Sequence, residues 1–363
     1  MNVTTQVLRL PLRDPFRIAR HQPDQVATTV LTEIELAGLH GLGEAYPVAY
    51  YGETIGTLGA IVPLLAESIG QLGDPPANVP HARAWLLRAT EAMDGVVGRH
   101  GSAKAGLDIA LHDLVARGLG MPLTELLGTS ADIPPTDFSI GLDEPATVAA
   151  RAQRAGHFPA LKIKLGGTHD LATLEQVRDV YGGPIRVDAN TGWEPEAALR
   201  LLPELVRLGV ELIEQPFPAR ALPRLRWLQE RSRLPIVADE SCETEADLEA
   251  LVGVVAGVNV KLMKCGGVGP ALRMMDRARQ LGFKIMLGCM EETSVGIAAG
   301  AAVASRADWV DLDGNLLLAS DPFSGLELDD GCRWVIGRAP GLGVERVEKT
   351  VDNLVDEGPS APG

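Results

Sequence analysis

Five charged residues recur along the middle of the chain at nearly constant spacing: Lys164, Asp188, Glu214, Asp239 and Lys264. The intervals are 24, 26, 25 and 25 residues. Each residue closes a short apolar, partly β-branched run: Leu161–Lys164, Ile185–Asp188, Leu212–Glu214, Ile236–Asp239 and Val258–Lys264. One strand, one helix and two loops fill such an interval. Strands alternating with helices make a parallel sheet, and a closed parallel barrel brings every strand's C-terminal end to one mouth. Three carboxylates flanked in order by two lysines would then converge.

The length, 363 residues, accommodates such a barrel plus one further unit. Apolar residues make up 46% and charged residues 22%, a balance that favours a large core over disorder. The net charge of −15, with Lys and Arg scattered, argues against nucleic acid and anionic membrane as partners. No basic segment followed by an apolar stretch opens the chain, so no signal peptide is expected. The longest apolar run, Val295 to Ala304, is too short to span a bilayer and reads as a packed helix. The four cysteines, Cys242, Cys265, Cys289 and Cys332, form no CxxC pair, which suits reduced thiols and a cytoplasmic enzyme.

Residues 1–115 do not keep the beat and read as an α+β unit. Val30, Thr32, Ile34 and Leu36 share one face of a strand, and helical patterns follow at 54–69, 81–97 and 102–118, the last with Ser102 as N-cap. Residues 116–325 hold eight strand candidates. The first is Thr136–Gly141, the seventh Lys284–Met290 and the eighth Asp308–Asp313, with the five charged runs between. From 326 to 363 the beat is lost. Leu326, Leu328, Trp334 and Val335 suggest short strands returning to the N-terminal unit.

Asp188, Glu214 and Asp239 offer only oxygen ligands, and three carboxylates on successive barrel strands suit Mg²⁺, one per subunit. Lys162 and Lys164 alternate on one strand and point the same way. Two neighbouring ammonium groups disfavour each other's charge, so one is expected to titrate nearer neutrality and exchange protons. Lys264 comes from the sixth strand, four away from the second in a ring of eight, and so faces Lys164 across the mouth. That is the geometry for removing a proton from one face of a carbon and returning it on the other. None of the seven histidines closes a strand, which disfavours a histidine base. Asp311 and Asp313 end the eighth strand on one side and suit a cationic group of the substrate; pairing with Lys162 or Lys164 is the alternative. Together with Glu291 and Glu292 they argue against a phosphorylated substrate.

These residues resemble the enolase superfamily in its muconate-lactonising-enzyme-like branch. The matching pieces are Lys162-Ile-Lys164, Val187-Asp-Ala-Asn190, Glu214-Gln-Pro216, Ala238-Asp-Glu-Ser241 and Lys261-Leu-Met-Lys264-Cys-Gly-Gly267. The stretch Ala103–Asp113 and the tail Pro340–Val344 also match. The resemblance implies an α/β fold, a modified (β/α)7-8 TIM barrel with an α+β capping domain completed by the C-terminal tail. It implies Mg²⁺ on Asp188, Glu214 and Asp239, with Lys164 and Lys264 as the acid/base pair. Asn190, Glu240 and Glu292 are expected to support these groups, and Lys162 to contact substrate.

Asp311-Leu-Asp313 is similar to the Asp-x-Asp with which dipeptide epimerases hold a free ammonium. The implied reaction is a 1,1-proton transfer at the C-terminal residue of an L,L-dipeptide. In Ala-Glu epimerases an arginine of the first capping loop pairs with the substrate glutamate. Here His21 stands at that position with Arg20 before it, and Tyr51 lies in the second capping loop. That loop's tyrosines make a neutral or hydrophobic dipeptide the expectation, and acidic Glu291 near the pocket makes a cationic one the alternative. The rival readings are an o-succinylbenzoate synthase, a cycloisomerase or an N-acylamino acid racemase of the same branch, and, more distantly, a non-catalytic barrel. A homo-oligomer is expected, as barrels of this kind often assemble.

Overall fold

The computed structural model describes residues 1–20 and 22–347; His21 and positions 348–363 lie outside the described residues. An antiparallel meander opens the chain: β1 (Asn2–Phe16), β2 (Asp24–Leu36) and β3 (Leu39–Ala45). Three helices follow, α1 (Ile55–Gly70), α2 (Val79–Val96) and α3 (Gly101–Gly118). The inward face of β2, Val30 and Ile34, packs with Leu58, Leu65, Trp85 and Leu107 of these helices.

Helix α3 is buried from Ser102 to Ala116 because the capping sheet lies on one side and the barrel on the other. Such close approach excludes side chains: a Cβ on Gly101 would stand 2.0 Å from the Lys264 carbonyl oxygen. Ser102 is not the cap expected of it. It lies inside the helix, and the Glu53 carboxylate accepts from the Ser102 and Ala103 amides at 2.9 and 3.1 Å. A longer acid from the second capping loop satisfies the free amides instead.

The barrel follows α4 (Leu123–Leu127). Its strands are β4 (Phe138–Ile140), β5 (Leu161–Lys164), β6 (Ile185–Asp188), β7 (Val210–Glu214), β8 (Ile236–Ala238), β9 (Gly257–Lys261), β10 (Lys284–Gly288) and β11 (Trp309–Asp311). The interleaved helices are α5 (Pro145–Arg154), α6 (Asp170–Val180), α7 (Pro195–Arg207), α8 (Leu222–Gln229), α9 (Leu248–Leu251), α10 (Leu262–Cys265), α11 (Val268–Gln280), α12 (Ser294–Ala301) and α13 (Gly314–Leu317). The strands form one parallel sheet in chain order, and a Thr136–Val310 bridge draws its two edges together. The fold is thus a nearly closed eight-stranded barrel with an antiparallel cap, and all eight expected strands are present.

Two departures matter. The sixth barrel strand stops at Lys261, and the chain turns into α10. Gly266 and Gly267, at φ 104° and 114°, complete this turn, and the Asp108 carboxylate of α3 caps α11 through the Val268 and Gly269 amides. Second, α13 has only four residues where a full eighth helix would pack. After β12 (Phe323–Ser324), a hairpin of β13 (Glu327–Leu328) and β14 (Trp334–Val335) fills this sector, with Trp334 Nε1 donating to the Leu312 carbonyl at 2.8 Å. The last strand, β15 (Glu345–Arg346), pairs with β12, and Val344 and Phe323 pack on Leu8, Leu10 and Leu31 of the cap. No described helix is long and apolar enough to cross a membrane.

Candidate active site

Asp188 and Glu214 end β6 and β7, and Asp239 follows β8, so adjacent strands bring the three carboxylates together. One oxygen from each lies within 4.8 Å of the others, and all three residues are buried. Burial and the Asp188 charge push the Glu214 carboxyl up to about 7. Burial would raise Asp188 too, but Lys164 and Lys162 hold it below its ordinary range. Glu214 Oε2 meets only the Lys162 ammonium, at 2.7 Å, and Glu240 Oε2 is a buried oxygen without a hydrogen-bond donor among the described residues. Clustered, desolvated oxygen donors of this kind fit a hard divalent cation, whose charge offsets their repulsion.

Lys162 and Lys164 both point into the barrel, as their alternation on β5 requires, and Lys164 lines the mouth while Lys162 lies buried below it. Lys164 Nζ lies 2.7 Å from Asp188 Oδ2. Lys162 Nζ lies 2.6 Å from Asp311 and 2.7 Å from Glu214. Burial alone would lower the Lys162 ammonium, but Asp311, Glu214 and Asp188 hold it well above its ordinary value. At Lys162 the surrounding carboxylates outweigh the second ammonium, contrary to the like-charge expectation.

Lys264 is not at the mouth. Its Nζ donates to Asp239 Oδ1 (2.5 Å) and to the carbonyls of Asp239 (2.7 Å), Cys242 (2.9 Å) and Asn259 (2.9 Å). Its side chain has no exposed surface. The residue facing Lys164 is Lys261, the last of β9, with Nζ 3.0 Å from Asp239 Oδ2. Lys164 and Lys261 line one cavity from strands four apart in the eight. The constant interval pointed past the strand end. Parity carries the better signal: Asn259 and Lys261 alternate on β9 as Lys162 and Lys164 do on β5.

Asp311 and Asp313 both line the same cavity. Asp311 also takes the alternative partner, Lys162, and accepts from the Ser139 hydroxyl at 3.1 Å. Asp313 accepts from the Ser139 amide at 2.5 Å and, among the described residues, meets no lysine within ion-pair distance. Ser139, inward-facing on β4, escaped the sequence reading, although it sits one alternation from its strand's end. Burial, then Asp311, push the Asp313 carboxyl up to about 7. It is therefore neutral below that pH and ionised above it. A cationic group would bind only the ionised form, so if Asp313 holds a substrate amine, kcat/KM should fall as pH drops through about 7. The drop should vanish in Asp313→Asn; a profile unchanged by the substitution counts against this role.

The capping loops close the mouth. Arg20 donates to Glu240 and, at 3.2 Å, to the Asn190 carbonyl, and it stacks over the Tyr50 ring at 4.2 Å. Its charge is thus already engaged. Tyr51 and Glu291 line the cavity with Ile18, Tyr46, Val48 and Met290. Asn190 donates its amide to Asp188 Oδ1 at 2.9 Å. Glu292 is turned away and buried, accepting from the Met290 amide at 2.8 Å; burial and Glu44 push it up to about 8.

Residues 1–128 match the family model "Mandelate racemase / muconate lactonizing enzyme, N-terminal domain", and residues 145–350 match "Enolase C-terminal domain-like". The chain belongs to the mandelate racemase / muconate lactonizing enzyme family. Among its relatives in this family is the L-Ala-D/L-Glu epimerase of Bacteroides thetaiotaomicron, 37% identical over 96% of this chain and 88% of the relative. The dipeptide epimerase of Enterococcus faecalis, solved with Mg and L-Leu-L-Tyr, superposes with a TM-score of 0.85 at 32% identity, covering 95% of this chain and 99% of the other. That of Methylococcus capsulatus, solved with Mg and L-Arg-D-Lys, gives 0.82 at 35% identity over 94% and 98%.

Proposed function

We propose that this chain is a Mg²⁺-dependent dipeptide epimerase, inverting the α-carbon of the C-terminal residue of L,L-dipeptides. One observation carries the reading: two lysines, Lys164 and Lys261, flank three clustered carboxylates from opposite sides, with Asp311 and Asp313 beside them. The Mg²⁺ and dipeptides in the two solved relatives support it. Asp188, Glu214 and Asp239 would hold the ion, which when bound supplies positive charge to offset charge developing on the substrate carboxylate. Asp313, with Asp311, receives the substrate ammonium. The α-carbon is then presented between the two lysines. One, neutral, takes the α-proton; the other, as ammonium, returns a proton to the opposite face. Lys162 stays charged beneath them and stabilises negative charge on the enolate.

Ile18, Val48, Met290, Tyr46 and Tyr51 make the pocket suited to a neutral or hydrophobic C-terminal side chain, and Arg20, paired with Glu240, is not free for a substrate glutamate. The test is mass spectrometry of L,L-dipeptide pools in D₂O with Mg²⁺. A one-dalton gain confined to apolar C-terminal residues is expected, a preference for Lys or Arg would assign the pocket to Glu291, and no gain in any pool would sink the proposal. EDTA should abolish exchange and added Mg²⁺ restore it. The same reading makes the enzyme cytoplasmic, consistent with its four free cysteines, and a homo-oligomer, which light scattering would check.

A further inference from the structure

The cavity at the mouth has a volume of about 170 Å³. Pockets for small ligands usually run from about 300 Å³ upward, so this space is short for a whole dipeptide. A second cavity of about 340 Å³ adjoins it. Phe16, Ser139 and Leu317 belong to the walls of both. The second cavity lies among the end of β1, β4, α5, α13 and β13, in the sector where the barrel has a four-residue helix instead of a full one.

Its chemistry is apolar. Phe138 and Phe158 stack with centroids 4.9 Å apart, and Ile140, Leu316 and Leu328 complete the lining. The cations at its rim are engaged: Arg13 donates to the Leu318 carbonyl at 2.8 Å, Arg151 lies 3.1 Å from Asp143, and Arg154 lies 2.8 Å from Asp14. Ser139 joins this space to the site, because its amide and hydroxyl donate to Asp313 and Asp311, the carboxylates proposed to receive the substrate ammonium. In an N-terminal residue the ammonium and the side chain leave the same carbon. An ammonium held beside Ser139 therefore sets its side chain at the shared wall.

We infer that this flanking cavity receives the side chain of the substrate's N-terminal residue and selects large apolar or aromatic ones. The inference rests on the dipeptide epimerase reading. The experiment is α-proton exchange in D₂O for dipeptides sharing one C-terminal residue and carrying Gly, Leu or Phe at the N-terminus. The wild-type protein should favour Phe over Gly in kcat/KM by at least about tenfold. Two variants narrow the cavity from different elements: Ala155→Leu after α5 and Leu328→Trp on β13. Each should reduce the Phe-to-Gly ratio at least about fivefold, with melting temperature reporting that the variant is folded. Exchange with a ratio near one, or a ratio that neither folded variant changes, overturns the inference and leaves the epimerase reading standing. Absence of exchange with every dipeptide overturns both.

Discussion

Lys261→Met should lower kcat for epimerisation by about a thousandfold, the scale of losing a positioned acid or base. Lys261 ends β9 opposite Lys164 on β5, and both line the cavity at the mouth, Lys164 against Asp188 and Lys261 against Asp239 of the carboxylate cluster. A 1,1-transfer with inversion needs a proton acceptor on one face and a donor on the other, so neither lysine can replace its partner. The stereochemistry provides the sharper test. In D₂O, Lys261→Met should still exchange the α-proton of one epimer, and Lys164→Met that of the other. Each variant thereby identifies the face its missing lysine serves. Epimerisation within tenfold of wild type in Lys261→Met would remove Lys261 from the chemistry. Exchange of both epimers by one single variant would mean that one lysine serves both faces.

Lys264→Met should behave differently, losing stability and metal affinity together. The ammonium is fully buried and bonded to one carboxylate oxygen and three backbone carbonyls, all within 2.9 Å. These acceptors belong to Asp239, the turn at Cys242 and Asn259 of β9, so one charge ties β8 to β9 just where Asp239 enters the carboxylate cluster. Removing one partner of a buried pair costs about 3–5 kcal/mol, because the remaining charge is stranded without solvent. Arginine does not restore the arrangement, since a planar fork cannot meet four acceptors grouped around a compact ammonium. The expected result is a Tm lowered by several degrees and weaker Mg²⁺ binding by calorimetry in both Lys264→Met and Lys264→Arg. A variant with wild-type Tm and wild-type Mg²⁺ affinity would contradict a positioning role.

The two lysines lie three residues apart in one motif, Lys261-Leu-Met-Lys264, yet differ in what they touch. The spacing of the charged residues singled out Lys264, because its interval matches the others. The strand, however, ends at Lys261, where the chain turns into α10 with glycines at positive φ. The α3 residue Asp108 caps the helix beyond. Gly266 and Gly267 are a local sign of that turn, but the carboxylate that caps the helix beyond it lies 160 residues away from Val268. Ser139 was missed for a related reason: its value comes from Asp311 and Asp313, across the seam where the barrel's two edges meet. Arg20 lines the mouth cavity, but its engagement with Glu240 depends on a barrel residue no capping-loop pattern specifies.

Asp188, Glu214 and Asp239 are different. Regular strand–helix spacing and period-two alternation suffice to bring them together, because in a parallel barrel equal repeats return every strand end to the same mouth. The parallel order, the carboxylate cluster and the inward pair Lys162 and Lys164 are consequences of periodicity, which is a property of the linear chain. Which lysine crosses the mouth, which charges are already paired, and where a second cavity opens beside the site are consequences of contacts between distant elements. Those contacts depend on where a strand stops and on which helix is missing from the barrel's last sector, and only packing decides either.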